Sequence, residues 1–131
     1  MPITLRVAQK LLKAAEDKAI SQNLKVSIAV VDSRGDLVVT CRTDGAPYFT
    51  PDLARGKAMV SANLNAPSGV MGERADNPFT RTLNQMNSGR LLFVQGALPI
   101  VQDNEVLGAV GVAGATSQQD EDIAKAALAA L

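Results

Sequence analysis

The chain reads as a single α+β domain, residues 1–131, in which helices cover an antiparallel sheet in the order α-ββ-α-α-βββ-α. Three observations predict this. Stretches with apolar residues three and four positions apart alternate with short runs of β-branched residues. The β-branched runs come in pairs joined by short polar turns, as hairpins require. The chain is 47% hydrophobic but only 3% aromatic, so 131 residues must build one core from Val, Ile, Leu, Ala and Met.

Residues 4–23 carry Val7, Leu11, Leu12, Ala15, Ala19 and Ile20 on one stripe and Arg6, Lys10, Lys13, Asp17 and Lys18 opposite, which predicts an amphipathic helix capped by Thr4. Val26–Val31 is apolar almost throughout and predicts a strand buried on both faces. Asp32–Asp36, with Gly35, is its turn, and Leu37–Cys41 returns as the second strand of a hairpin. Thr50-Pro51-Asp52 predicts a helix start with Thr50 as cap, running through Ala54, Lys57, Ala58 and Ala62. Residues 66–76, with Gly69, Met71, Gly72 and Arg74, show no period and predict a loop. Asn77-Pro78 opens another helix with Phe79, Leu83 and Met86 on one face. Leu91–Val94 predicts a third strand. Pro99–Gln102 and Val106–Val112 predict a second hairpin around Asp103-Asn104-Glu105. Gly108, Gly111 and Gly114 along its last strand predict a close approach by another element, subunit or ligand. Ser117–Asp120 predicts a capping box opening a last helix with Ile123, Ala126, Ala127 and Ala130 inward. The helices are expected on one face of the sheet.

Composition narrows the function. Lys+Arg and Asp+Glu number 13 each, so no bulk field draws the chain to nucleic acid or to an anionic membrane, and neither is an expected partner. Cys41 stands alone, so no intrachain disulfide can form. The start Met1-Pro2-Ile3-Thr4 lacks the basic and apolar segments of a secretory leader, and a cytoplasmic location is expected. There is no histidine. That removes Ser-His-Asp and Cys-His catalysis and the commonest transition-metal and haem ligand, and no metal site is expected.

Ala29–Asp36, Arg42–Pro47, Ala54-Arg-Gly-Lys-Ala58, Leu98-Pro-Ile100, Leu107–Gly114 and Gln119-Asp-Glu121 follow one another in an order that resembles the GlcG/HbpS family, which includes the C-terminal domain of PduO-type proteins. The resemblance implies a profilin-like fold: a five-stranded antiparallel sheet with helices packed on it. It also implies self-association as a dimer or octamer. Haem enters as a cofactor only through this resemblance. The sequence departs from the family pattern in lacking histidine, and in carrying Gly96-Ala97 where a pair of glycines is usual.

The candidate site residues are Arg42, Asp44 and Lys57, joined by Tyr48, Gly111, Gly114 and Thr116. Arg42 offers a planar fork for a carboxylate, or pairs with Asp44 or Asp32 to hold its own loop. Lys57, in a small and apolar helix, is a desolvated base or a side chain that snorkels to water. Tyr48, beside Phe49, covers a flat ligand or packs the loop. Gly111, Gly114 and Thr116 line the approach to the last helix, whose free N–H groups suit an anion. The functional reading is a small-molecule-binding oligomer, its ligand a small organic acid in a cleft between sheet and helices. The alternative is a lyase, isomerase or hydrolase acting on a small carboxylate, with Asp44 and Lys57 as acid and base. A haem-binding or haem-degrading protein is the third reading. All of these require Arg42, Asp44 and Lys57 to meet at one hollow.

Overall fold

A computed structural model of the chain describes residues 3–70, 72 and 76–131. The expectations for Met71 and Arg74 lie outside these residues. The described elements are α1 (Leu5–Ser21), β1 (Ser27–Asp32), β2 (Leu37–Arg42), α2 (Thr50–Leu64), α3 (Pro78–Met86), β3 (Ala97–Gln102), β4 (Glu105–Ala113) and α4 (Ser117–Leu128). The strands form one antiparallel sheet in the order β2-β1-β4-β3. β1 is central and buried from Ser27 to Val31, as its unbroken apolar run predicts.

The sheet has four strands, not five. Leu91–Val94 is not a strand. Leu91 and Phe93 are buried, but against Met59 and Val60 of α2. The Leu92 amide donates to the Gly56 carbonyl of α2 at 3.3 Å. Apolar residues and backbone groups in this segment are satisfied by a helix, which a short apolar run cannot announce.

Helices cover both faces, not one. On the first face α1 and α4 meet a core of Leu11, Ile28, Val30, Ile100, Val110, Val112 and Ile123, all fully buried. Each contributes roughly 1.5–3 kcal/mol by leaving water. On the second face α2 lies over β1 and β4, with Ala54 and Ala58 against Ala29, Val31, Ala109 and Ala113. A Cβ at Gly111 would overlap the Ala54 carbonyl, so glycine there lets the helix backbone rest almost on the strand.

The caps show how local signals fare. Thr4 and Asn77 cap α1 and α3 as expected. Thr50 lies inside α2 instead of capping it; its hydroxyl is buried, donating to the Pro47 carbonyl at 2.8 Å and bonded to the Ser27 hydroxyl at 2.7 Å. The capping box of α4 is Thr116 with Gln119, one residue earlier than predicted. That shift frees Asp120 for another partner. Phe79 and Met86 of α3 are 66% and 78% exposed, so only Leu83 of the expected stripe turns toward the core.

Candidate functional site

β2 ends at Arg42, and the chain then turns through Thr43, Asp44 and Gly45 toward α2. The Thr43 hydroxyl pins this corner to β1, accepting from the Val26 amide and donating to the Val26 carbonyl, both at 2.9 Å. Arg42 Nη1 donates to the Ala46 carbonyl at 2.7 Å. The guanidinium is therefore held by its loop's backbone, not by Asp44 or Asp32. Asp32 serves its own turn, accepting from the Arg34 and Asp36 amides at 2.9 and 3.0 Å.

Between this corner and the end of α1 lies a groove of about 390 Å³, lined by Glu16, Ile20, Lys25, Cys41, Arg42 and Asp44 among others. Lys25 lays its stem against Gly45. Burial pushes the Cys41 thiol above its ordinary range, and the Glu16 carboxylate adds to this, against a backbone hydrogen bond with Ile28. The thiol is thus a poor nucleophile at neutral pH.

Lys57 does not reach this groove, so the expected meeting of Arg42, Asp44 and Lys57 at one hollow does not occur; only Arg42 and Asp44 border it. It is 4% exposed, with Nζ donating to the Val112 carbonyl at 2.9 Å and to Asp120 Oδ2 at 3.1 Å. Asp120 is 2% exposed, and its Oδ1 accepts from the Ala115 amide at 3.0 Å. Burial raises the Asp120 carboxyl from its ordinary range, opposed by the Lys57 ammonium and by the Ala115 and Gly114 amides. Gly96, with φ 146°, lets the lysine tip pass: a Cβ there would stand 2.6 Å from Nζ. The Gly96-Ala97 departure thus retains the one glycine this contact needs. The ion pair ties α2 to β4 and α4, layers on opposite faces of the sheet. Arg42 and Val112 lie toward the same end of the sheet, since Arg42 pairs with Ser27 and Ser27 with Ala113, but β1 stands between them.

The remaining candidates are dispersed. Gly111 lies beneath α2, where the helix occupies the space a ligand would need. Gly114 is exposed and close to Lys25: a Cβ there would lie 2.6 Å from the Lys25 carbonyl. The Thr116 hydroxyl accepts from the Gln119 amide at 3.2 Å, which commits it as a cap. Tyr48 is 86% exposed and meets Phe49 edge-on at 5.5 Å between ring centres.

A family model described as "Haem degrading protein HbpS-like" matches residues 3–129. The chain belongs to the HbpS-like family. It is 32% identical over 127 residues to an uncharacterized 15.0 kDa protein of the dhaT-dhaS intergenic region of Citrobacter freundii, covering 96% of this chain and 89% of that one. It is 31% identical over 118 residues to protein GlcG of Escherichia coli K12, covering 84% and 80%. A crystal structure of a Streptomyces reticuli HbpS double mutant superposes with a TM-score of 0.87 at 32% identity, covering 100% of this chain and 88% of that one.

Haem, named in the family description, needs an iron ligand beside a flat apolar slot. This HbpS-like chain has no histidine. Tyr48 projects from its loop, Met59 is buried in the core and Met86 sits on the outer side of α3. Burial holds the Cys41 thiol in its protonated form. The described residues therefore do not fit a haem site within one chain. Among them no group of three or more His, Cys, Asp and Glu is placed to hold a metal ion, and no helix is long and apolar enough to cross a membrane.

Sequence reasoning missed Asp120 as the partner of Lys57, Lys25 as a wall of the groove, and Arg55 with Arg90 across α2. Asp120 carried a signal, but one that pointed to the helix cap. The others carried none, because each faces a neighbour far away in sequence.

Proposed function

We propose that this HbpS-like protein binds a small organic acid in the groove between the end of α1 and the Arg42 corner, and that it does so as a homo-oligomer, a dimer or an octamer. The observation that carries the reading is the fixed guanidinium. Arg42 spends Nη1 on the Ala46 carbonyl, which holds the guanidinium in place, and Arg42 and Lys25 both border the groove. A preorganised planar fork beside a second cation suits a carboxylate. Asp44 and Glu16 border the same groove and favour a ligand that also carries a hydroxyl or other donor.

Of the two candidate acid–base groups, Asp44 borders the groove and Lys57 is committed to Asp120. An enzymatic role would therefore run on Asp44. Calorimetric titration with two- to four-carbon hydroxy and keto acids tests the binding. Saturable heat that disappears in Arg42→Met is the expected result, and heat retained in that variant removes the reading. Asp44→Asn then separates binding from turnover: affinity kept and conversion lost identifies an enzyme.

A further inference from the structure

We infer that the chain carries a second anion site, in which Arg55 and Arg90 hold the carboxylate or phosphate group of a small molecule. Arg55 lies in the second turn of α2, and Arg90 follows the turn that ends α3. A hollow of about 270 Å³ opens between them, walled also by Asp52, Gly56, Gly89 and Leu92. The Arg55 Nε is buried and has no hydrogen-bond partner. Among the described residues no ion pair joins Arg55 or Arg90 to a carboxylate. Arg55 as a whole is half-buried, its guanidinium stays charged at any ordinary pH, and a donor with no acceptor favours an anion nearby. Folded proteins rarely leave such a donor orphaned.

The hollow is built by close packing. A Cβ at Gly56 would collide with the Arg90 carbonyl, so glycine lets the segment after α3 rest directly on the helix. The Leu92 amide then bonds to the Gly56 carbonyl at 3.3 Å, and Gly89, with φ 73°, turns the chain out of α3. These contacts set the Arg90 backbone against the turn that carries Arg55. Among the described residues of the wall, Asp52 is the single carboxylate against two arginines, which leaves one net positive charge. Guanidinium N–H groups pair with the oxygens of a carboxylate or phosphate, and two arginines border this hollow. The hollow faces the outer side of α2, whereas the Arg42 groove lies between α1 and β2, so the two sites are separate.

Nuclear magnetic resonance of the full chain tests this. The Arg55 Nε–H and the Gly56 and Leu92 amides are followed during titration with inorganic phosphate and, separately, with acetate. Saturable shifts at these signals are expected, weakened about tenfold or more by Arg90→Met and by Arg55→Lys and unchanged by Arg42→Met. Arg90 is exposed, so Arg90→Met keeps the fold. Saturation by phosphate alone or by acetate alone names the group and supports the site. Shifts that never saturate, or that survive both arginine variants, overturn it. So does a chain whose anion titration is untouched by Arg55→Lys while its mass in solution falls, because a carboxylate from a second copy then fills the hollow.

Discussion

Toward α1 and α4, the central strands present Ile28, Val30, Val110 and Val112. Toward α2, the same strands present Ala29, Val31, Ala109, Gly111 and Ala113. The first face is filled by bulk: large branched side chains interdigitate and keep the helix axes away from the sheet. The second is filled by proximity: small residues let one helix lie almost on the strands, and a buried ion pair anchors it at one end. Period-two alternation sends each set to its own side. The lesson is that tolerance to substitution should reverse from one face to the other, and that the polar anchor belongs to the side with the least apolar area.

The largest effect is expected at that anchor. Lys57→Met leaves the Asp120 carboxylate buried without its cation and should cost roughly 3–5 kcal/mol in urea denaturation, while Lys57→Met with Asp120→Leu should recover most of it. A double variant no more stable than the single one would break the picture of a tie between layers. Next comes the bulky face, where Leu11→Ala should cost roughly 2–5 kcal/mol by opening a cavity. On the small-residue face the opposite change is the damaging one. Gly111→Ala adds one methyl under the Ala54 carbonyl and should cost roughly 1–3 kcal/mol, with weaker protection of α2 amides in hydrogen exchange. A neutral Gly111→Ala would show that α2 does not rest on the sheet as described. A smaller loss of about 1 kcal/mol is expected for Thr116→Ala, which removes the cap of α4 but leaves the Asp120 contacts in place.

At the margin of the bulky face Cys41 packs against the core. Its raised pKa means a smaller thiolate fraction at neutral pH than a free cysteine has. Alkylation by iodoacetamide should therefore be slow near pH 7, rise through and beyond pH ~8.5, the ordinary thiol value, and become fast at neutral pH once urea unfolds the chain. Fast modification of the folded protein at pH 7 would mean that burial does not hold the thiol back.

Much of the architecture was legible because its signals are local. The stripe of α1, the unbroken run of β1, the turn at Gly35 and the Asn77-Pro78 start of α3 each depend on neighbours within a few residues. Leu91–Val94 misled because an apolar run states that a segment is buried and not what buries it. Phe79 and Met86 misled in the other direction, since a stripe at helical spacing does not say whether its partner is in the same chain. The site was less legible than the fold. Arg42 and Asp44 were singled out because a charged corner between a strand and a helix is visible in the sequence, and both border the groove. Lys57 was singled out for sitting among small residues, but its partner stands 63 positions away on the other layer.

By itself, then, the sequence determined the four helices, the two hairpins and how they turn, though not the path of Leu91–Val94, and that metal or nucleophilic chemistry based on histidine is closed to this chain. Its family follows from that same ordered set of residues. Only the tertiary structure decided which face each helix covers, that Lys57 is a buried tie and not a free base, and that the arginines of two distant segments share one hollow. The physical reason is that caps, turns and periodicity are written in steps of two to four residues, whereas a salt bridge or a cavity forms between whichever surfaces the packed layers bring together.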